Sequence, residues 1–147
     1  AVYPSDGPPY APFQQWARRA DPDLQTSPLL LQIHPSWGLW HALRFALVLP
    51  AVEAADARQL AAPQAPSGVD ICLTCDGQPC LHACPVDAFG PGSYDVPACA
   101  DHLHRPEGAQ CMQHGCLARR ACPVAASLRY EPAHAAFHMK AFAQRHC

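Results

Sequence analysis

Charged side chains are scarce in this sequence of 147 residues. Lysine, arginine, aspartate and glutamate together account for 15% of it, and the formal net charge at pH 7 is −2. Nucleic acids and anionic membrane surfaces bind proteins through concentrated positive charge. The sequence has no basic run that could supply such a charge, so we expect no nucleic-acid partner.

Long apolar segments are missing as well. The longest apolar stretch, residues 45–52, contains Pro50 and falls far short of the roughly 20 residues that a membrane-spanning helix needs. The chain opens at Ala1 without the positively charged segment and apolar run of a signal peptide. These features predict a soluble, cytoplasmic protein with no membrane span.

Three common catalytic motifs are absent from the sequence. It contains no Gly-rich phosphate loop, no G-x-S-x-G and no H-E-x-x-H. The carboxylates are scattered between predicted loops, where solvated charge is their simplest role. The sequence therefore indicates none of the nucleotide-binding, serine hydrolase or zinc protease classes.

Proline and cysteine, in contrast, are abundant. The sequence contains 17 prolines and nine cysteines. So many prolines predict short elements joined by loops. All nine cysteines lie after residue 71, and an odd number clustered in one half argues against a purely disulfide-bonded framework. Metal ligation is the better explanation.

The first cysteine motif covers residues 72–85 and reads C-x2-C-x4-C-x3-C-P. A cubane iron–sulfur cluster needs four converging thiolates, and three closely spaced cysteines on a tight loop can supply three of them. In two-cluster ferredoxins the cysteine before the proline ligates the other cluster. The motif therefore predicts three ligands of one cluster, and Cys84 as a ligand of another.

A second, modified copy of this motif follows. Residues 115–124 repeat the pattern of residues 79–86, with two residues inserted between the paired cysteines. Cys99 and Cys111 lie upstream of this copy, where further ligands are expected. The internal repeat is the strongest sequence evidence for two clusters.

Residues 69–126 resemble a dicluster bacterial-type ferredoxin domain. The spacing of four residues between Cys75 and Cys80 resembles that of the electron-transfer subunits of molybdopterin oxidoreductases. The resemblance implies two [4Fe–4S] clusters with crossed ligation. One cluster would be held by Cys72, Cys75, Cys80 and Cys122, and the other by Cys84, Cys99, Cys111 and Cys116. Eleven residues separate Cys99 from Cys111 where about two to four are usual, so whether the second cluster is of the 4Fe or the 3Fe type stays open.

Other uses of these cysteines remain as alternatives. Structural zinc could use the same thiolates, although it favours paired C-x2-C knuckles. A purely structural metal and disulfide bonds are further alternatives. Histidine could replace a thiolate, but eight cysteines already suffice, so we expect no ligand among His82, His102, His104 and His114. Cys147 lies outside both motifs and is expected to be a free thiol.

The predicted fold class is α+β. We expect a ferredoxin-like dicluster domain of short strands and helices, with an N-terminal helix and hairpin as an extension. Residues 1–66 are predicted to form this extension, with an amphipathic helix over 12–20, a strand-turn-strand unit over 29–49 and a linker. Residues 67–147 are predicted to form the dicluster domain, whose C-terminal helix begins near Pro132.

Residues 27–40 and 43–49 are weakly similar to a stretch upstream of the clusters in epoxyqueuosine reductases and reductive dehalogenases. This resemblance implies the C-terminal part of a cobalamin-dependent reductase. The simpler interpretation, which we favour, is a hydrophobic hairpin with Trp37 and Trp40 that packs on the ferredoxin domain. We therefore expect two [4Fe–4S] clusters, and cobalamin remains the less favoured alternative.

The expected function is the transfer of single electrons to a partner reductase or other oxidoreductase. Whether the chain is itself an enzyme is left open, and if it is one, we expect an oxidoreductase.

Overall fold

The computed structural model describes residues 1–61 and 68–146, and its mixture of short helices and two small antiparallel sheets confirms an α and β composition. In chain order the elements are α1 Phe13–Ala20, β1 Gln25–Thr26, β2 Gln32–Ile33, α2 Ala54–Ala61, α3 Pro79–His82, β3 Phe89–Gly90, β4 Ser93–Tyr94, α4 Val96–Leu103, α5 Ala109–His114, α6 Leu117–Ala121 and α7 Pro132–Arg145. Single turns of 3-10 helix lie at Pro106–Gly108 and Ala126–Leu128. Within these described ranges, no helix combines the length and the apolar character that crossing a membrane requires.

Helix α1 coincides with the helix predicted over residues 12–20. The rings of Phe13 and Trp16, one turn apart, are in contact, with centroids separated by 5.4 Å. The side-chain amide of Gln32 donates to the carbonyl oxygen of Gln14 at 2.6 Å. This hydrogen bond ties α1 to strand β2.

The predicted strand-turn-strand unit over residues 29–49 is wrong in position. The hairpin lies earlier in the chain, where β1 and β2 pair antiparallel with Gln25 opposite Ile33. Ser27 donates its backbone N–H to the carbonyl oxygen of Leu31 and closes the turn between the two strands. The apolar run that begins at Leu29 therefore supplies the turn and only one short strand.

The second predicted strand, residues 39–49, does not form. A turn precedes it as expected, closed by a bridge between His34 and Gly38. The side chain of Leu39 is buried in the core. For residues 43–49, the structure describes a single β-bridge, from Ala46 to Val2. Strand formation depends on the partners available more than on local propensity, and in the described part of the chain this run has no neighbouring strand with which to form a ladder.

Two small cores hold the described parts together. The first joins the N-terminal segment to the cysteine-rich half and contains Leu29, Ile33, Leu39, Ala118 and Cys122. The second contains Leu103, Cys111 and Ala143. The predicted linker and the boundary near residue 66 lie outside the described residues. The first core nevertheless shows that residues 29–39 are an integral part of the cysteine-rich module.

Helix α7 begins at Pro132, as the sequence predicts, and packs along α5. Proline suits the first turn of a helix because the N–H that it lacks would have no partner there. Buried Ala143 of α7 meets buried Cys111 of α5 in the second core. The C-terminal helix thus covers the element that carries one of the predicted ligands.

Candidate metal centre

The loop that carries the first cysteines is shaped by hydrogen bonds to its own backbone. The Asp70 carboxylate accepts the N–H groups of Cys72 and Leu73, at 3.0 and 2.9 Å. The side-chain amide of Gln78 donates to the carbonyl oxygen of Cys72 at 3.0 Å, which draws the two ends of the loop together. Pro79 then starts helix α3, so that Cys80 lies in its first turn. The three cysteines of this loop are thereby held on one concave surface.

One cavity collects four of the predicted ligands. Its walls include Cys72, Cys75, Cys80 and Cys122, and it is partly open to solvent. The rest of its lining is largely apolar and includes Leu29, Ile33, Leu39, Ile71 and Val124. The cavity therefore brings Cys122 from the second motif to the three cysteines of the first, which is the grouping that crossed ligation requires. We call these four cysteines the first site.

The other four predicted ligands form a second group. The pKa of Cys116 is raised first by burial and then by the nearby thiols of Cys111, Cys99 and Cys84. Burial and the nearby thiols of Cys99 and Cys84 also raise the pKa of Cys111. The pKa of Cys99 is raised by burial and by Cys84. These mutual influences place the four side chains together. We call Cys84, Cys99, Cys111 and Cys116 the second site.

Helices α3 and α6 connect the two sites. Cys80 and Cys84 lie at the beginning and just beyond the end of α3, and Cys116 and Cys122 flank α6 as its N-cap and C-cap. The two helices pack together, and the charge of Cys122 influences Cys80 while that of Cys84 influences Cys116. The sequence repeat thus appears in the structure as two helices that each contribute one cysteine to each site.

The thiols crowd one another in both sites. Burial, reinforced by the neighbouring thiols, raises the pKa of Cys72 and of Cys116 from 9.0 to about 11. Asp70 contributes a further negative charge beside Cys72. Buried anions of like sign oppose one another's ionisation unless a cation compensates them. Four ionised thiolates in each group therefore require a positively charged centre between them.

The spread of the sulfur atoms argues against mononuclear zinc. Tetrahedral Zn–S bonds of about 2.3 Å place the sulfurs roughly 3.8 Å apart. Among the described residues, no three cysteine sulfurs lie within 4.8 Å of one another. The eight described cysteines are also free thiols. Four sulfurs that surround a cavity and lie farther apart than around a single zinc ion suit a polynuclear centre. The ninth cysteine, Cys147, lies outside the described residues.

The histidines among the cysteines have other surroundings. His82, His104 and His114 are exposed, whereas His102 is buried, and none of them is part of the lining of the first-site cavity. The Nδ1 atom of His104 lies 2.7 Å from the carbonyl oxygen of Ala100.

A group of Asp21, Asp23 and His34 was not found by the sequence reasoning. Their ligand atoms lie within 4.8 Å of one another. Nδ1 of His34 accepts the N–H of Ser36 at 3.0 Å, so Nε2 carries the ring proton and faces the Asp21 carboxylate at 3.4 Å. Nε2, the nitrogen that would have to bind a metal, therefore carries a proton and acts as a hydrogen-bond donor. The group stabilises the turn over residues 34–38.

Gly38 is a further residue that sequence reasoning missed. Its φ is +55°, and a Cβ atom placed on it would lie 2.4 Å from the carbonyl oxygen of Val124, two residues after Cys122. Glycine is required here both for the backbone conformation and for the close approach. A glycine in a turn is the only sequence signal for it, and that signal says nothing about the distant Val124.

Comparison of the chain with protein-family models, with curated proteins and with solved structures finds no match. The functional argument therefore rests on the cysteine geometry.

Proposed function

We propose that the protein binds two [4Fe–4S] clusters, one at each site, and transfers single electrons to a partner reductase or other oxidoreductase. The observation that carries this proposal is the division of eight cysteines into two groups of four, each with a member from the other motif. A bound cluster of this type would accept and release one electron at a time. The proposed identity of the domain is the dicluster ferredoxin type that the motifs resemble.

The residues of the first site suit such a centre in two ways. Four sulfur ligands face one cavity, and thiolate is the ligand type that iron–sulfur centres use. Leu29, Ile33 and Leu39 pack against the site and are almost fully buried, so they keep water from one side of it. Exclusion of water protects the cysteines from competing ligands and from oxidation.

The packing of residues 29–39 also bears on the cobalamin alternative. The resemblance to cobalamin-dependent reductases rests on this segment, and the structure uses its apolar side chains to cover the first site. This observation supports the simpler interpretation of the segment as a packing element. An absorbance spectrum of the purified protein with corrin bands would reverse that preference.

Crossed ligation gives the sharpest test of the proposal. We expect Cys122→Ser to damage the same EPR signal as Cys75→Ser, and Cys84→Ser the same signal as Cys111→Ser. Serine replaces a soft thiolate by a harder ligand, so the affected cluster is lost or converted to a 3Fe form, or its potential shifts. EPR spectra of the reduced variants, prepared without oxygen, make the assignment.

Two further results complete this test. If Cys84→Ser and Cys75→Ser damage the same signal while Cys111→Ser damages the other, ligation is local to each motif and the crossed arrangement is wrong. Cys147→Ser is the matched control, because Cys147 lies outside both motifs. We expect it to leave both signals unchanged.

A further inference from the structure

Two histidines of helix α7 face each other outside both cysteine sites. His134 and His138 are four residues apart in the helix, so they lie one turn apart on the same face. Their Nε2 atoms are 2.9 Å apart, and their ring centroids are 4.8 Å apart. Both residues are exposed. The pair therefore presents two neighbouring imidazole nitrogens that a ligand from solvent can reach.

Aromatic neighbours hold the two imidazole rings. The ring of Tyr130 stacks on that of His134, with centroids 4.2 Å apart and planes at 20°, and its centroid lies 5.8 Å from that of His138. Phe137 meets the His138 ring edge to face at 5.5 Å. Tyr130 is itself fixed by the Arg119 guanidinium, which lies 4.7 Å from the centre of its ring. These contacts restrict both imidazoles and so lower the entropy cost of binding a ligand.

The hydrogen bond between the rings leaves their protons free to move. One Nε2 donates and the other accepts, so at least one of the two rings is neutral. In the described structure, no hydrogen bond engages the Nδ1 atom of either ring. The donating ring can therefore carry its proton on Nδ1 instead, unlike His34, whose Nδ1 accepts the N–H of Ser36. Both Nε2 lone pairs are then available to a metal ion.

The two nitrogens select the class of metal. Imidazole is a common ligand of zinc, copper, iron and nickel, whereas calcium and magnesium take oxygen ligands. With metal–nitrogen bonds of about 2.05 Å, adjacent corners of a square-planar or octahedral centre lie about 2.9 Å apart, and the corners of a tetrahedron lie about 3.3 Å apart. The observed separation of 2.9 Å matches the former, which is the geometry that nickel(II) and copper(II) prefer.

The surroundings set the strength of such a site. Among the described residues, no third histidine, cysteine or carboxylate has a ligand atom within 4.8 Å of both nitrogens, so water completes the coordination. Arg44 and Arg119 bring positive charge to His138, which opposes a cation. We therefore expect weaker metal binding here than at a group of four thiolates.

We propose that His134 and His138 form a binding site for a divalent transition metal of the nickel(II) or copper(II) class, separate from the cysteine sites. Each residue supplies its Nε2 atom. A metal that joins residues one turn apart stabilises the helical conformation between them, because it binds the folded helix and not the unfolded segment. The site uses no cysteine, so this inference does not depend on the proposed iron–sulfur clusters.

The test is calorimetric titration of the intact protein, prepared without oxygen, with nickel(II) chloride at about pH 8, where imidazole is neutral. His134→Gln and His138→Gln should each weaken nickel binding about tenfold or more, because either variant leaves a single imidazole in place of a chelating pair. His146→Gln is the matched control, because His146 is an exposed histidine just beyond the end of the same helix. It should leave nickel binding unchanged.

A second measurement locates the bound metal, since cysteine sulfurs could compete for nickel. Nickel should slow hydrogen exchange over Pro132–Arg145 in the unmodified protein, and this protection should disappear in both glutamine variants. The inference is overturned if the unmodified protein binds no nickel, or if nickel binding is unchanged in either variant. Absence of iron and sulfide from the unmodified protein overturns the proposed function instead.

Discussion

A single residue outside the cysteine motifs, Gly38, influences where Cys122 lies. Gly38 belongs to a turn well upstream of the first motif, yet its backbone touches Val124, which follows Cys122 by two residues. Gly38 acts on the first site through a contact between distant parts of the chain, so its role cannot be read from motif spacing.

The first prediction at this scale concerns Gly38→Ala. The new methyl group meets the Val124 carbonyl, and alanine adopts a positive φ only at a cost, so the free energy of unfolding should fall by about 1–3 kcal/mol. The displaced segment carries Cys122, so the first-site EPR signal should change while the second-site signal stays the same. Gly7→Ala is the control, because nothing lies within 4 Å of its added Cβ. Equal behaviour of the two variants would contradict the role of Gly38.

A second prediction follows from the thiol pKa values. Burial raises the pKa of Cys72 and Cys116 to about 11, so protons compete strongly with metal for these sulfurs. Lowering the pH protonates released thiolates and favours loss of the metal. We expect iron transfer to a chelator, followed by absorbance, to accelerate as the pH falls from about 8 to about 6. A rate that does not depend on pH would contradict thiolate ligation.

At the scale of elements, the N-terminal segment is a cover for the first site. Hairpin β1–β2 and the following turn bring Leu29, Ile33 and Leu39 against Cys122 and Ala118. The side chain of Gln25 secures the arrangement, because it donates to the carbonyl oxygen of Val69 and accepts the N–H of Ile71. The segment is therefore attached to the loop that carries Cys72.

Ile33→Ala tests this cover. Ile33 is 1% exposed, so its truncation leaves a cavity beside the first site and should cost about 2–5 kcal/mol of unfolding free energy. The first-site signal should also be lost faster than the second-site signal when the protein is exposed to air. Leu31→Ala is the matched control at 38% exposure, and it should change neither quantity appreciably. If both sites decayed equally fast in Ile33→Ala, the segment would not be a selective cover.

The elements also show how far the sequence could predict this structure. Helices α1 and α7 follow from apolar spacing and from a proline at a helix start, because both signals are local. The predicted position of the hairpin is wrong, because the apolar run over residues 39–49 has the composition of a strand but no neighbouring strand among the described residues. The grouping of Cys122 with Cys72, Cys75 and Cys80 was implied by a family resemblance, and the observed cavity brings these cysteines together. The role of Gly38 depends on a tertiary contact, which spacing does not reveal.

For the molecule as a whole, the sites and the fold are interdependent. The two described cores are small, and each includes a cysteine of a proposed site, Cys122 in the first and Cys111 in the second. Small domains with limited cores often depend on metal for their stability. Helices α3 and α6 each contribute to both sites, so loss of one centre should weaken the other.

Removal of metal is therefore expected to disorder more than the cysteine loops. After anaerobic chelation, residues 69–126 should lose protection from hydrogen exchange, and residues 29–39 should lose it with them because their core partners are gone. Helix content measured by circular dichroism should fall in the same transition. Protection of residues 29–39 that survives chelation would show that this segment folds without the sites.

The central claim is that eight cysteines hold two iron–sulfur clusters. The most direct measurement is quantitation of iron and acid-labile sulfide in protein prepared without oxygen, together with low-temperature EPR of the reduced protein. We predict about eight irons and about eight sulfides per chain, with two EPR-active centres. Stoichiometric zinc without sulfide would contradict the account.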